Sequence, residues 1–381
     1  MVQIVKIVAI LTFVVVFVAV TYFITVKIFN RLVGNITQQQ TENITKDIIG
    51  SLTGGSQKVE KEPCNVPKHQ KEFKSEPYYS GPLIDSHVHL PTTAKIVSSV
   101  AGQNGLELPV LEGDLSASNL ICLFESEGIT KIFGFHITSK FAEGAGVSAA
   151  RVIEESYPGK IVHFIMPPPV LSLNVAPSGI EGILNNNKGL FKGFGEIGLY
   201  MDGYQGTLPN DSMLKEIYKL AQEHNLIVMI HPEDNLRDGV EEILQEFPNV
   251  TFFFHGGKYQ EWLIDLMPKY KNFYYSIDAD ISHIYGFKAE HEFQKLSNKE
   301  EYLSYMRENF DKVLDEEVRN WKARIEKYPD RFTWGSDRWF AWHFDPEVGG
   351  IIEEFSRSFI GRLRTAIQEN FAYKNAERML Q

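Results

Sequence analysis

Short apolar runs alternating with helical periodicity over residues 80–381 predict an α/β chain whose strands close into a (β/α)8 TIM barrel. Three observations carry that expectation. Eight such runs fall between residues 82 and 334, close to the roughly 250 residues this fold occupies. Most neighbouring runs are separated by a helix-length segment, as parallel strands require. After the first run, a doubly wound open sheet would carry a Gly-rich phosphate turn. This chain has His87-Val88-His89 there instead.

The first strand is read over 82–87 (PLIDSH), followed by a polar, Gly-containing excursion and a helix near 118–127. The second strand is 131–137 (KIFGFHI), then a helix near 148–156 and a third strand at 161–166. A short helical piece at 180–185 leads to the fourth strand, 191–197 (FKGFGEI). The clearest helix spans 211–225, where Leu214, Ile217, Tyr218 and Ala221 recur at spacings of three and four. Asn210 and Asp211 are its N-cap residues. The fifth strand, 226–230, runs into His231-Pro232, and the sixth, 250–254, into His255-Gly256-Gly257, with helices near 236–247 and 260–270 after them. The seventh is 272–277. A charged, mostly helical insertion over 278–330 precedes the eighth, 331–334, and a final helix pair covers 346–380. There is no internal repeat and no P-loop.

Ahead of the barrel, residues 7–26 carry no charge. At about 1.5 Å per residue they span roughly 30 Å, the thickness of a bilayer core. A cleaved signal peptide has a shorter apolar core and a small-x-small cleavage site, so an uncleaved single-pass anchor over 1–30 is expected. Residues 31–79 read as a polar stalk with Gly54-Gly55-Ser56 as a joint, and 80–381 as the barrel domain. Lys6 and the amino terminus on one side nearly balance Lys27 and Arg31 on the other, so charge does not orient the anchor. Two N-x-T triplets, at Asn35 and Asn43, favour a barrel outside the cytoplasm. The formal net charge of -11 argues against a nucleic-acid partner held through phosphates. The two cysteines, Cys64 and Cys122, are too few for a disulfide framework and lack zinc-finger spacing. One bridge between them is open in an oxidising compartment. A small-molecule substrate is expected, and a homo-oligomer is possible.

Chemistry in a barrel sits at the carboxyl ends of the strands, and the candidate metal ligands fall there. His87 and His89, two apart on a strand, aim two imidazoles to one side. Glu196 closes the fourth strand, His231 the fifth and His255 the sixth, while Asp337 follows the eighth in Gly335-Ser336-Asp337. Each has a plainer reading. Glu196 could be a buried carboxylate bonded to backbone amides, His231 a turn residue, His255 a loop histidine, and Asp337 the N-cap of the next helix. Those readings would have to hold together to remove the site. The set offers only nitrogen and oxygen, which suits one or two divalent ions, with zinc the first choice and manganese, iron or cobalt as alternatives.

Such an ion lowers the pKa of bound water from about 15.7 towards 7. Glu196 is placed to bridge two ions, one held by His87 and His89 and the other by His231 and His255. Asp337 would bind the first weakly and shuttle the proton from the attacking water to the leaving group. His136, near the end of the second strand, and Tyr200, Lys258 and Arg338, beside the ligands, are candidate substrate contacts. His163 is read as core or barrel lining, and His69, His224, His283, His291 and His343 as surface or lid residues. The insertion, with His283, Tyr285 and Phe287, would overhang the active face as a lid.

The segments IDSHVHL (84–90), GEIGLY (195–200), IVMIHPED (227–234), FFFHGG (252–257) and TWGSDRW (333–339) resemble the amidohydrolase superfamily, as does the closing IQENFAYKNAERML (367–380). GEIGL is similar to TatD-like deoxyribonucleases. HPED, HGG and GSD are more like the amidohydrolase-related branch that includes decarboxylases and lactonases. The resemblance covers residues 80–381 and implies a distorted TIM barrel, one or two divalent metals and hydrolysis at carbon or phosphorus. The anchor and the 278–330 insertion depart from TatD-like enzymes, and Glu196 departs from the decarboxylases. The sequence therefore reads as a membrane-anchored metal-dependent hydrolase of an ester, lactone, amide or phosphoester. The alternatives are a single-metal decarboxylase and a non-catalytic binding protein on a degenerate barrel.

Overall fold

In the computed structural model, eight parallel strands pair in chain order: β1 Leu83–His89, β2 Ile129–Ile137, β3 Ile161–Met166, β4 Phe191–Gly198, β5 Ile227–His231, β6 Thr251–Phe254, β7 Phe273–Ile277 and β8 Phe332–Trp334. The structure describes residues 63–381 except 91–114, 141–142, 169–173, 201–203, 205, 257–259, 285–295 and 297. Helices lie between most strands: α1 Ala117–Ser126, α2 Glu143–Ser156, α3 Pro177–Asn186, α4 Ser212–His224, α5 Arg237–Glu246, α6 Gln260–Leu266, then α7 Ala279–Ser282, α8 Lys299–Lys327 and α9 Pro346–Gly361. The α4 stripe read from the sequence is its buried face: Leu214, Ile217, Tyr218 and Ala221.

The barrel nearly closes, and it does so at the site. Beyond the end of β8, Asp337 N donates to His87 O (2.8 Å) and His89 N donates to Arg338 O (2.8 Å). β1 reaches two residues further than expected, so both its histidines lie within the strand.

Side-chain parity sorts the interior from the outer layer. Ile84, Phe133, Phe135, Val162, Phe164, Met166, Met229 and Phe253 form one buried cluster inside the barrel. The alternate strand residues pack under the helices in a second, larger cluster. Ala376 and Met379, near the C-terminus, join the inner cluster where the strands begin. The buried Asn375 fastens that end by donating to Pro329 O (3.0 Å) and Phe332 O (2.8 Å).

Three expectations change. Residues 63–79, expected as the end of the stalk, lie against the barrel. The buried Glu354 of α9 accepts from the backbone N–H groups of Glu72, Phe73 and Lys74 and pairs with His69 (2.9 Å). Phe73 stacks on Phe310 of α8 at 3.8 Å. Cys64 and Cys122 form a disulfide across a sequence separation of 58. In a chain-entropy model a loop of that size stabilises by about 4 kcal/mol.

His283 and His343, read as surface or lid residues, are buried. The insertion folds its apolar stripe, including Phe310, Leu314 and Trp321, onto the barrel rather than leaving it exposed. His291, Tyr285 and Phe287 lie outside the described residues.

The membrane-anchored location is corrected as well. Among the described residues no helix is long and apolar enough to cross a membrane. The stretch on which that expectation rested, 7–26, lies outside them, as do both N-x-T triplets.

Candidate metal centre

The strand ends bring six of the expected residues to one place. His87 and His89 arrive from β1, Glu196 from β4, His231 from β5, His255 just after β6, and Asp337 after β8. Two glycines make the approach possible. Gly195 has φ +125°, and a Cβ there would lie 2.3 Å from Met229 O. Gly256 has φ +112°, and a Cβ there would meet the His231 ring at 2.7 Å. Asp337 itself takes φ +55°, a left-handed conformation that Asp tolerates better than most residues and that recurs at functional sites.

Glu196 is the pivot. Its Oε2 lies 3.6 Å from His87 Nε2 and 3.4 Å from His89 Nε2. Its Oε1 lies 2.9 Å from His255 Nε2 and 3.2 Å from His231 Nδ1. Asp337 Oδ1 stands 3.1 Å from His89 Nε2 and 3.5 Å from His87 Nε2. Three sets of donors each have their ligand atoms within 4.8 Å of one another: His87-His89-Glu196 and Glu196-His231-His255, which share only Glu196, and His87-His255-Asp278-Asp337, which crosses between them.

The donor set fits a divalent ion. The buried His87 Nε2 and His255 Nε2 make no well-directed hydrogen bond among the described residues. Buried nitrogen atoms of this kind normally find a partner. Electrostatics point the same way. Burial opposes a charged His87, but the Asp337, Asp278 and Glu196 carboxylates outweigh it and raise its pKa well above the ordinary value. Burial likewise opposes a charged His255, yet Glu196 and Asp278 raise it to about 9. Burial would raise the Glu196 carboxyl, but His255, His231 and His87 hold it far below the usual range. Without an ion, these groups compensate each other's charge.

The surroundings are aromatic. Phe135 lies beneath His87, ring centroids 4.9 Å apart. Trp339 lies against His89 at 4.0 Å and the exposed Tyr200 against His231 at 4.1 Å. Tyr200 is therefore beside the site.

A family model described as amidohydrolase matches residues 186–381, slightly more than half of the chain. The chain belongs to the amidohydrolase family. The matched residues take in Glu196, His231, His255 and Asp337 but not the His-x-His of β1. Amidohydrolases generally use a divalent metal, and the cluster above could bind one. No curated protein matches this amidohydrolase. Solved structures similar to it include an amidohydrolase from Burkholderia multivorans with bound zinc, at TM-score 0.49 and 13% identity over 79% of this chain and 99% of that one. An uncharacterized TIM-barrel protein from Bordetella bronchiseptica matches at TM-score 0.48 and 13% identity, covering 78% of this chain and 98% of its own. A dihydroorotase from Campylobacter jejuni matches at TM-score 0.45 and 11% identity, covering 81% of this chain and 86% of its own.

Two expected substrate contacts of this amidohydrolase sit elsewhere. Arg338 is fully buried and points away from the site into a two-pronged ion pair with Glu127, one contact at 3.0 Å. Its neighbour Asp337 faces inward, whereas the Arg338 guanidinium lies over the Phe124 ring, 5.0 Å from its centroid. His136 is also on the outer face, because Phe133 and Phe135 hold the inner positions of β2. It is buried with Nε2 2.8 Å from His163 Nδ1. Lys258 lies outside the described residues.

The sequence reading passed over two carboxylates. Asp85 is fully buried, and burial pushes its pKa up to about 6. It accepts from Ser336 N (2.9 Å), Ser336 Oγ (2.5 Å) and His87 N (3.2 Å), tying β1 to the loop that carries Asp337. Asp278, directly after β7, reaches His87 Nδ1 at 2.8 Å. The rule that found Glu196, a carboxylate at the end of an apolar run, applies equally to Asp278. Reading 278 as the start of the insertion obscured it.

Proposed function

We propose that this amidohydrolase is a metal-dependent hydrolase whose two metal subsites are joined by Glu196. His87, His89 and Asp337 would hold one ion, and His231 and His255 the other. The observation that carries the reading is the division of the Glu196 carboxylate, with Oε2 toward the β1 histidines and Oε1 toward His231 and His255. A bound divalent ion supplies Lewis acidity, polarising a carbonyl or phosphoryl oxygen and acidifying water from a pKa of about 15.7 towards 7.

The chain's own residues do the rest. Asp337 is the proton-transfer group. Its Oδ1 sits beside both β1 histidines, in reach of a water at that subsite. It takes the proton from the attacking water and returns it to the leaving group, a role worth about 10²–10⁴ in rate. Tyr200 and Trp339 flank the two subsites and offer apolar walls to a small-molecule ester, lactone, amide or phosphoester. A single-metal decarboxylase is the weaker reading, since it leaves the Glu196 bridge and one imidazole pair without a task.

Elemental mass spectrometry of the purified chain tests the proposal. Two zinc equivalents in the wild type, falling to about one in His231→Ala, are expected. One equivalent that survives His231→Ala unchanged would select the single-metal reading. No bound metal after reconstitution would overturn both.

A further inference from the structure

We infer that Asp278 is a positioning residue shared by the two subsites, fixing through one carboxylate oxygen which ring nitrogen His87 and His255 present to a metal. This rests on the two-subsite reading above.

Asp278 is buried at the carboxyl end of β7, away from the ring faces that look toward Glu196. Its Oδ1 is occupied: it accepts from Ala279 N at 2.6 Å as the N-cap of α7. Its Oδ2 lies 2.8 Å from His87 Nδ1 and 3.4 Å from His255 Nδ1. One of these histidines belongs to each subsite. A carboxylate only accepts, so each Nδ1 facing it carries a proton, and once a metal replaces the second proton the neutral ring would offer it Nε2. Those Nε2 atoms are the same two buried nitrogens without a well-directed hydrogen bond, and both face Glu196. Carboxylates behind metal-binding imidazoles set tautomer and ring orientation in this way. Here one carboxylate serves two subsites.

Packing makes the arrangement rigid. The His87 and His255 rings touch edge to face at 4.5 Å, so turning one disturbs the other. A Cβ at Gly335 would lie 3.1 Å from both Asp278 Cβ and His87 Cβ, so the β8 backbone leaves the pair little space to move.

The test uses the full chain with zinc as the probe. Competition against a chromophoric chelator yields the two successive zinc dissociation constants. Asp278→Asn should weaken both by about 10–100-fold, while His231→Ala should abolish only one. A merely structural role for Asp278 would not shift the visible spectrum of the cobalt(II)-loaded protein, and a shift is expected. Nitrogen-15 NMR of the histidine rings in the zinc-loaded wild type provides a readout that needs no variant. Protons on Nδ1 of both His87 and His255 are expected. A proton on Nε2 of either ring overturns the inference. So do unchanged zinc constants in Asp278→Asn, or a loss confined to one subsite. A wild type that binds no zinc is a different failure, because it removes the two-subsite reading on which the inference stands.

Discussion

Two groups of buried histidines face opposite sides of the same barrel wall. Inside, His87, His89 and His255 converge with three buried carboxylates, Glu196, Asp278 and Asp337. Outside, His136 and His163 face each other at 2.8 Å, and the nearby carboxylate, Glu154 at 3.4 Å from His163, is substantially exposed. Burial is as complete in one place as in the other, but the electrostatic outcome differs; of the inner three only His89 is lowered, by burial. The inner carboxylates raise His87 and His255 above their ordinary range. On the outer face burial dominates, pushing His163 down to about 4 and His136 well below its ordinary value. A buried histidine therefore becomes a metal-ligand candidate through the company of buried carboxylates, not through burial. Parity on the strand decides which company it keeps.

The largest expected effect breaks the inner group. Asp337→Asn should lower kcat by about 10²–10⁴ while keeping most of the bound metal, since four histidines and Glu196 remain. Steady-state kinetics alongside metal analysis checks it, and an unchanged kcat removes Asp337 from its role.

The outward-facing neighbour of Asp337 should behave oppositely. Arg338→Ala leaves Glu127 buried and unpaired, which costs about 3–5 kcal/mol. Chemical denaturation should show that loss, and metal content under folding conditions should be unchanged. A variant that keeps its stability but loses substrate affinity would return Arg338 to the site.

The smallest effect belongs to the outer pair. With the folded pKa of His163 depressed to about 4 from an ordinary value of about 6.5, the unfolded chain binds a proton between those limits that the folded chain does not. Stability therefore falls as pH drops through that window, by at most about 1.4 kcal/mol per pH unit from this residue. In His163→Gln the part of the fall due to this residue should vanish, with metal content unaltered. Parallel wild-type and variant curves from pH 6.5 to 4 would show that the outer pair is not proton-linked to folding.

The sequence by itself determined the alternation of strands and helices and the placing of His87, His89, Glu196, His231, His255 and Asp337 at strand ends. Those features are local, set by a periodicity of two or about 3.6 and by where an apolar run stops. Only the tertiary structure decided which way the remaining candidates face. His136 and Arg338 look as suitable as His89 in sequence, but their faces depend on which alternate residues fill the lumen, and register shifts along β1 show that strict alternation does not hold throughout. The pairing of Cys64 with Cys122, the docking of 69–74 on Glu354 and the reach of Asp278 to His87 likewise join residues far apart in the chain. Such contacts exist only once the strands are laid side by side and β8 returns to β1, because closure brings β7, β8 and β1 into one corner where their side chains can meet.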